Sequence, residues 1–158
     1  MSTSNTTGNA YAGGIIGKIQ NNGQIINVQL NNITLKGDGK INSRVGGLVG
    51  FLTDLSEASI TLKNNIISQI SLVSKSQQYS YVAGVIGHSV NTTIKIDNLN
   101  LRNVTIWGYG SYIQKMLYIY YQNGTYQIND MIASGINLIN GIQLNNCIFT
   151  NIISENGC

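Results

Sequence analysis

Tyr11-Ala12-Gly13-Gly14-Ile15-Ile16-Gly17 returns as Arg44-Val45-Gly46-Gly47-Leu48-Val49-Gly50, and again as Tyr81-Val82-Ala83-Gly84-Val85-Ile86-Gly87. A worn fourth copy, Tyr112-Ile113-Gln114-Lys115-Met116-Leu117-Tyr118, keeps the aromatic start and an apolar pair but no glycine. From Gly13 to Gly46, Gly46 to Ala83 and Ala83 to Gln114 the spacings are 33, 37 and 31 residues. Self-similarity at such a period marks a repeat architecture, in which each unit buries its apolar face only against its neighbours.

A second half-motif follows each glycine motif. Asn27-Val28-Gln29-Leu30-Asn31-Asn32-Ile33-Thr34-Leu35 aligns with Asn98-Leu99-Asn100-Leu101-Arg102-Asn103-Val104-Thr105-Ile106. Asn146-Cys147-Ile148-Phe149-Thr150-Asn151-Ile152-Ile153 is a further copy. The copy in the second unit, Asn64 to Leu72, is looser and puts Gln69 where the others have Asn. Apolar and polar residues alternate with period two, which is strand periodicity. Asn27, Asn32, Gln69, Asn98, Asn103, Asn146 and Asn151 then read as corners between short strands, where stacked amides can form ladders. The repeat glycines Gly13, Gly14, Gly17, Gly46, Gly47, Gly50, Gly84 and Gly87 suit positive φ or close backbone approach between coils.

These readings predict an all-β chain, a parallel β-solenoid (β-helix) of about four tandem repeats in one domain, 1–158. A polar segment (1–10), expected to leave the first coil uncovered and open to another subunit, precedes repeats at about 11–43, 44–80, 81–110 and 111–158. Whether 33 residues make one large coil or two small ones stays open at this stage. Composition agrees: Pro is absent, 18 residues are Gly, and only 9% are charged against roughly 25% in ordinary soluble domains.

Gly13-Gly14-Ile15-Ile16-Gly17, a polar turn, and Gly23-Gln24-Ile25-Ile26-Asn27-Val28 resemble the GLUG-motif repeat. Gly46 to Gly50 and Ala83 to Gly87 match its first part, and Asn146-Cys147 its second. The resemblance covers most of residues 11–106 and implies a β-solenoid of large secreted or cell-surface proteins, often adhesin-like, without catalytic residues to transfer. Residues 119–141 depart from the pattern. Ile119 to Tyr126, with Asn123-Gly124, reads as a β-hairpin, and the segment as an insertion or, preferably, a cap over the solenoid's open end.

The pattern assembles no catalytic constellation. The acids are Asp38, Asp54, Glu57, Asp97, Asp130 and Glu155. Asp38 reads as a solvated turn residue in Lys36-Gly37-Asp38-Gly39-Lys40. Asp54 with Glu57 is the closest pair, yet glycoside chemistry needs two carboxylates held across one bond, and no other repeat carries an acid in register with Asp97. His88, the sole histidine, reads as an exposed turn residue with neither metal nor triad partners. Cys147 reads as a buried strand residue, Cys158 as a terminal thiol able to cross-link copies. The expectation is a chain that is not an enzyme, with no cofactor and no metal site.

A net charge of +3 without any basic run argues against nucleic acid, and no apolar stretch reaches the ~20 residues of a membrane span. The leading function is a structural or adhesive module, extracellular or at the cell surface, that self-associates end to end or meets other surface proteins. The alternative is a carbohydrate-binding module, a glycan lying on a tyrosine-rich face of Tyr109, Tyr112, Tyr118, Tyr120, Tyr121 and Tyr126, with Trp107 nearby. A β-helix polysaccharide lyase or hydrolase ranks last.

Overall fold

The computed structural model describes the backbone of residues 2–5, 7–109, 112–116, 119–129, 132–134, 143–145 and 148–150, and the side chains of 2–5, 7–53 and 59–109. Every element in it is a strand. They are β1 (Ser2–Asn5), β2 (Ala10–Gly13), β3 (Ile16–Ile19), β4 (Gly23–Ile26), β5 (Gln29–Gly39), β6 (Asn42–Gly46) and β7 (Val49–Ser76). There follow β8 (Tyr79–Ala83), β9 (Ile86–Tyr109), β10 (Tyr112–Met116), β11 (Ile119–Asn129), β12 (Ile132–Ser134), β13 (Gln143–Asn145) and β14 (Ile148–Thr150).

All pairings are parallel, and those that link β1 to β12 along the stack join residues 32–37 apart, one repeat later. The first three repeats are therefore one coil each of a β-solenoid of about three turns, whereas β11 with β13 and β12 with β14 pair at an offset of 16 residues inside the last repeat. The first face of the coil stacks β2, β6, β8 and β10. A glycine turn leads to the second face, which places β3 and β4 on β7 and β7 on β9. Beyond a corner and a short span, the third face stacks the ends of β5, β7 and β9, so that Leu35 lies on Leu72 and Leu72 on Ile106. Inside, Leu35, Leu48, Leu52, Ile60, Leu62, Ile67, Leu72, Ile86, Ile94 and Ile96 are fully buried in one cluster.

The corners are where the sequence put them. Asn27, Asn64 and Asn98 form one column, and Asn32, Gln69 and Asn103 the next, all with φ between 51° and 57°. Only glycine adopts that region without strain, and Asn is the commonest substitute because its short amide finds local partners there. In the first column the ladder forms: Asn64 Nδ2 donates to Asn27 Oδ1 at 3.1 Å, and Asn98 Nδ2 to Asn64 Oδ1 at 3.0 Å. Buried Asn65 braces the same bend, donating to Ile25 O at 2.9 Å and accepting from Val28 N at 3.0 Å. Asn146 and Asn151 lie outside the described residues, as do Cys147 and Cys158.

The uneven repeat length has a single origin. Leu52 pairs with Ser89 and Ile60 with Ile94, while Thr53 to Ala58 carries a register shift against Val90 and Thr92. Four residues, 54–57, thus stand where the next coil has only Asn91, itself a positive-φ corner. A smaller shift, of one residue, falls between Ile119 and Tyr121 where β11 pairs with β9.

Four expectations are corrected. Asp38 is not in a turn: Lys36 to Gly39 continue β5, because small Gly37 and Gly39 let the strand run against Ser43 and Ala10, and the turn falls at Lys40-Ile41. The polar N-terminus does not leave the whole first coil bare, since β1 pairs with Lys36–Gly39 through backbone bonds, which need no apolar pattern. Ile119–Asn129 is one parallel strand on β9 rather than two antiparallel arms, Asn123 falls opposite the corner residue Asn91, and β13 pairs with its far edge. Finally, Tyr112 stands over Tyr79 and Gln114 over Tyr81, two residues away from the register read in the sequence. A slip of two keeps every side chain on its own face, so alternation alone could not detect it.

Candidate functional site

The repeat glycines work by close approach. A Cβ on Gly50 would lie 2.6 Å from Gly17 O and 2.7 Å from Ala12 O, and one on Gly87 2.6 Å from Val45 O. Gly13, Gly14, Gly46 and Gly47 likewise face backbone oxygens of the turn or the next coil, and Gly14 N bonds Gly47 O at 3.0 Å. Gly84 contributes its carbonyl to the space beside Gly47. This contact brings the outward side chains of the first face against those that follow the last glycine of each motif.

Two columns meet there. Tyr11, Arg44 and Tyr81 come from the first face, and Lys18, Phe51 and His88 from the second. Tyr11 stacks on Phe51 with centroids 5.4 Å apart, and Tyr81 on His88 at 4.3 Å. The Arg44 guanidinium lies 4.3 Å from the Phe51 ring centre and 5.5 and 5.3 Å from those of Tyr11 and Tyr81. Its Nε donates to His88 Nδ1 at 2.9 Å, which fixes the imidazole as an acceptor at that nitrogen. Burial, then the Arg44 charge, hold the His88 pKa down at about 3, so the ring is neutral at physiological pH. Burial also lowers the pKa of Arg44, with the cation favoured by the tyrosines beside it.

His88 is thus 4% exposed in a strand, not an exposed turn residue. Its partner is 44 residues away, so no local signal marks it. Aligning the residue after each motif (Lys18, Phe51, His88) against Tyr11, Arg44 and Tyr81 would have shown the two columns. The cluster has the make-up of a packing joint: rings and an aliphatic-stemmed cation interleaved between coils.

The third face is open and flat. Three rows point outward: Thr34, Lys36 and Asp38 from β5, Ser71, Val73 and Lys75 from β7, Thr105, Trp107 and Tyr109 from β9. Trp107 and Tyr109 are each 51% exposed, the highest among the large apolar side chains described. Ser4 pairs with Asp38, Asp38 with Lys75 and Lys75 with Tyr109, making one column along the axis. A shallow pocket of about 400 Å³ opens beside it, lined by Ser4, Asn5, Asp38, Lys40, Lys75 and Gln77 among others.

Of the tyrosines expected to form a ligand face, Tyr109 is placed on this one. Tyr112, Tyr120, Tyr121 and Tyr126 have described backbone, on β10 and β11, while their side chains and Tyr118 lie outside the described residues. Asp97 stands on the second face, 3.3 Å from Lys63 Nζ, far from Asp38 in the coil. The side chains of Asp54 and Glu57, and Asp130 and Glu155 altogether, are outside the described residues. Among the described residues no three His, Cys, Asp or Glu side chains gather as metal ligands, and no helix is long and apolar enough to cross a membrane.

Fold and faces together define the class: a parallel β-solenoid repeat, one coil per repeat over the first three. No family model, curated protein or solved structure matches the chain.

Proposed function

We propose that the chain is a non-enzymatic structural or adhesive repeat module that associates end to end with further copies of itself. What carries this reading is a comparison down one column. Ile15, Leu48 and Val85 are equivalent residues joined by backbone bonds, yet Leu48 and Val85 are 0% exposed and Ile15 is 45% exposed. Ile16, Ile19 and Val28 are likewise only partly buried where Val49, Leu52 and Asn65 are buried. The loss of burial follows from position in the stack, since nothing but β1 covers the first coil among the described residues, and β1 covers only its last few residues.

A coil added in parallel would bury this rim and supply partners for the free edges of β2, β3 and β4. It would also extend the amide ladder, in which Asn27 accepts from Asn64 and keeps its own two donor hydrogens. A second copy offers coils of the same width with corners at the same spacing, and its own outward columns carry few charges to repel the contact. The GLUG-like wording of residues 11–106 supports the adhesive side of the proposal and a place outside the cell or on its surface.

Sedimentation velocity over a hundredfold range of concentration, with negative-stain microscopy, tests this. The expected result is growth of rods in the native chain and monomers for Ile15→Lys, whose side chain is already half in water. A chain that sediments as a monomer at every concentration refutes the assembly.

A further inference from the structure

We propose that the third face binds a neutral, extended polysaccharide lying along the solenoid axis, one sugar ring per coil. This rests on the adhesive half of the reading above and not on self-assembly. Trp107 and Tyr109 are two residues apart on one strand, so both rings project from the same side, roughly 7 Å apart. Exposed aromatic rings at that separation offer flat apolar platforms to the C–H faces of sugars with equatorial substituents.

The column through Tyr109 supplies the polar half of the site. Below Tyr109 come Lys75, Asp38 and Ser4, one per coil. Stacked strands advance about 4.8 Å per coil, close to the advance per ring of an extended β-1,4-linked chain. A ring seated on Tyr109 therefore puts the hydroxyls of the next ring at the Lys75 ammonium, a donor, and those of the following one at the Asp38 carboxylate, an acceptor. The pocket lined by Asn5, Lys40 and Gln77 borders these lower positions and leaves room for equatorial groups. Gln77 already takes part in an interaction within the chain and so serves as a wall rather than a free ligand.

The rest of the face argues for sugar over protein. Protein hot spots sit in apolar, water-free surroundings, whereas among the described residues of this face the two rings are accompanied by Thr105, Ser71, Thr34, Lys75 and Lys36, with Val73 the one apolar residue. In the column one cation, Lys75, adjoins one acid, Asp38, so a donor and an acceptor stand in line for hydroxyls.

Trp107 is the sole tryptophan, so its fluorescence reports on this face alone. The native chain is titrated with cellotetraose, mannotetraose and chitotetraose, with tetragalacturonate as the charged comparison. Saturable change in Trp107 emission is expected with at least one neutral tetrasaccharide, about tenfold weaker in Tyr109→Ala and about threefold weaker in Lys75→Met. Lys95→Ala, on the second face, should match the native chain. All three positions are exposed, and circular dichroism confirms that each variant is folded. No saturable response to any neutral probe, or one that Tyr109→Ala leaves intact, overturns the proposal. So does preference for tetragalacturonate that disappears at high salt. A monomeric chain that answers to sugar loses the assembly and keeps this site; a rod-forming chain that does not loses the site alone.

Discussion

Gly50→Ala should cost about 3–5 kcal/mol, a large part of the 5–15 kcal/mol typical of a folded domain. The added Cβ meets Gly17 O at 2.6 Å, Ala12 O at 2.7 Å and Ala12 N at 2.8 Å, all of them backbone atoms. The tightest is about 0.8 Å short of the 3.4 Å at which ordinary contact begins. No rotamer can relieve it, so the first coil must move away from the second. A shift of that size stretches bonds such as Ile16 N to Leu48 O, now 3.1 Å, past the hydrogen-bond limit. Overpacking of this kind costs about 1–3 kcal/mol, and two lost backbone bonds add about 1 kcal/mol each. Gly23 is the control. A Cβ there meets nothing within 4 Å, so Gly23→Ala should be neutral or stabilise by about 0.4–1 kcal/mol through the unfolded chain. Urea unfolding followed by circular dichroism measures both. If Gly50→Ala lies within about 0.5 kcal/mol of the native chain, the close-approach account of the glycine motif is wrong.

Three further outcomes are expected. Asn64→Ala should destabilise by about 2 kcal/mol and Asn64→Gly by about half as much, since alanine loses both the ladder and the comfort of a positive φ whereas glycine loses only the ladder; equal losses in urea melts would remove the backbone part of the argument. For His88, the pKa is depressed on folding, so its neutral form stabilises the fold fully above the unfolded value of 6.5, and the contribution drains away as pH falls toward about 3. The urea midpoint should therefore decline between pH 6.5 and 4 with uptake of up to one proton on unfolding, and His88→Gln should flatten that decline; an unchanged slope contradicts the burial of a neutral ring. Lys63→Ala, which removes an ion pair whose two side chains are 50% and 38% exposed, should change stability by less than about 0.5 kcal/mol at ordinary salt, and a larger loss in thermal melts would show that the pair holds the second face.

The solenoid was legible because its determinants repeat. The two corner residues of a unit stand five apart in every copy (Asn27 and Asn32, Asn64 and Gln69, Asn98 and Asn103), and apolar positions alternate with polar ones, so three copies vote on one geometry. What failed to read was what occurs once. Ser2–Asn5 has no apolar period and joins the sheet through its backbone alone. Asp38 sits between two glycines that look like a turn until Ser43 and Ala10 are seen packed against them. His88 is packed by Arg44, Phe51 and Tyr81, the first of them one face and a coil away in the chain. The proposed ligand face was legible in part: Tyr109 and Trp107 stood out as aromatic, but only the stacking places Lys75 and Asp38 in line with Tyr109.

The four residues between Thr53 and Ala58 carry a lesson about tolerance. On both sides of that detour the strands rejoin the register of their neighbours, so the wall of the solenoid is indifferent to how long the excursion is. Loop closure grows more costly only with the logarithm of length. A peptide of a dozen residues grafted there would cost little in stability while the coils above and below held their places. The architecture thus separates a part that counts residues strictly from a part free to vary, and the second is where new sequence can be displayed without refolding the first.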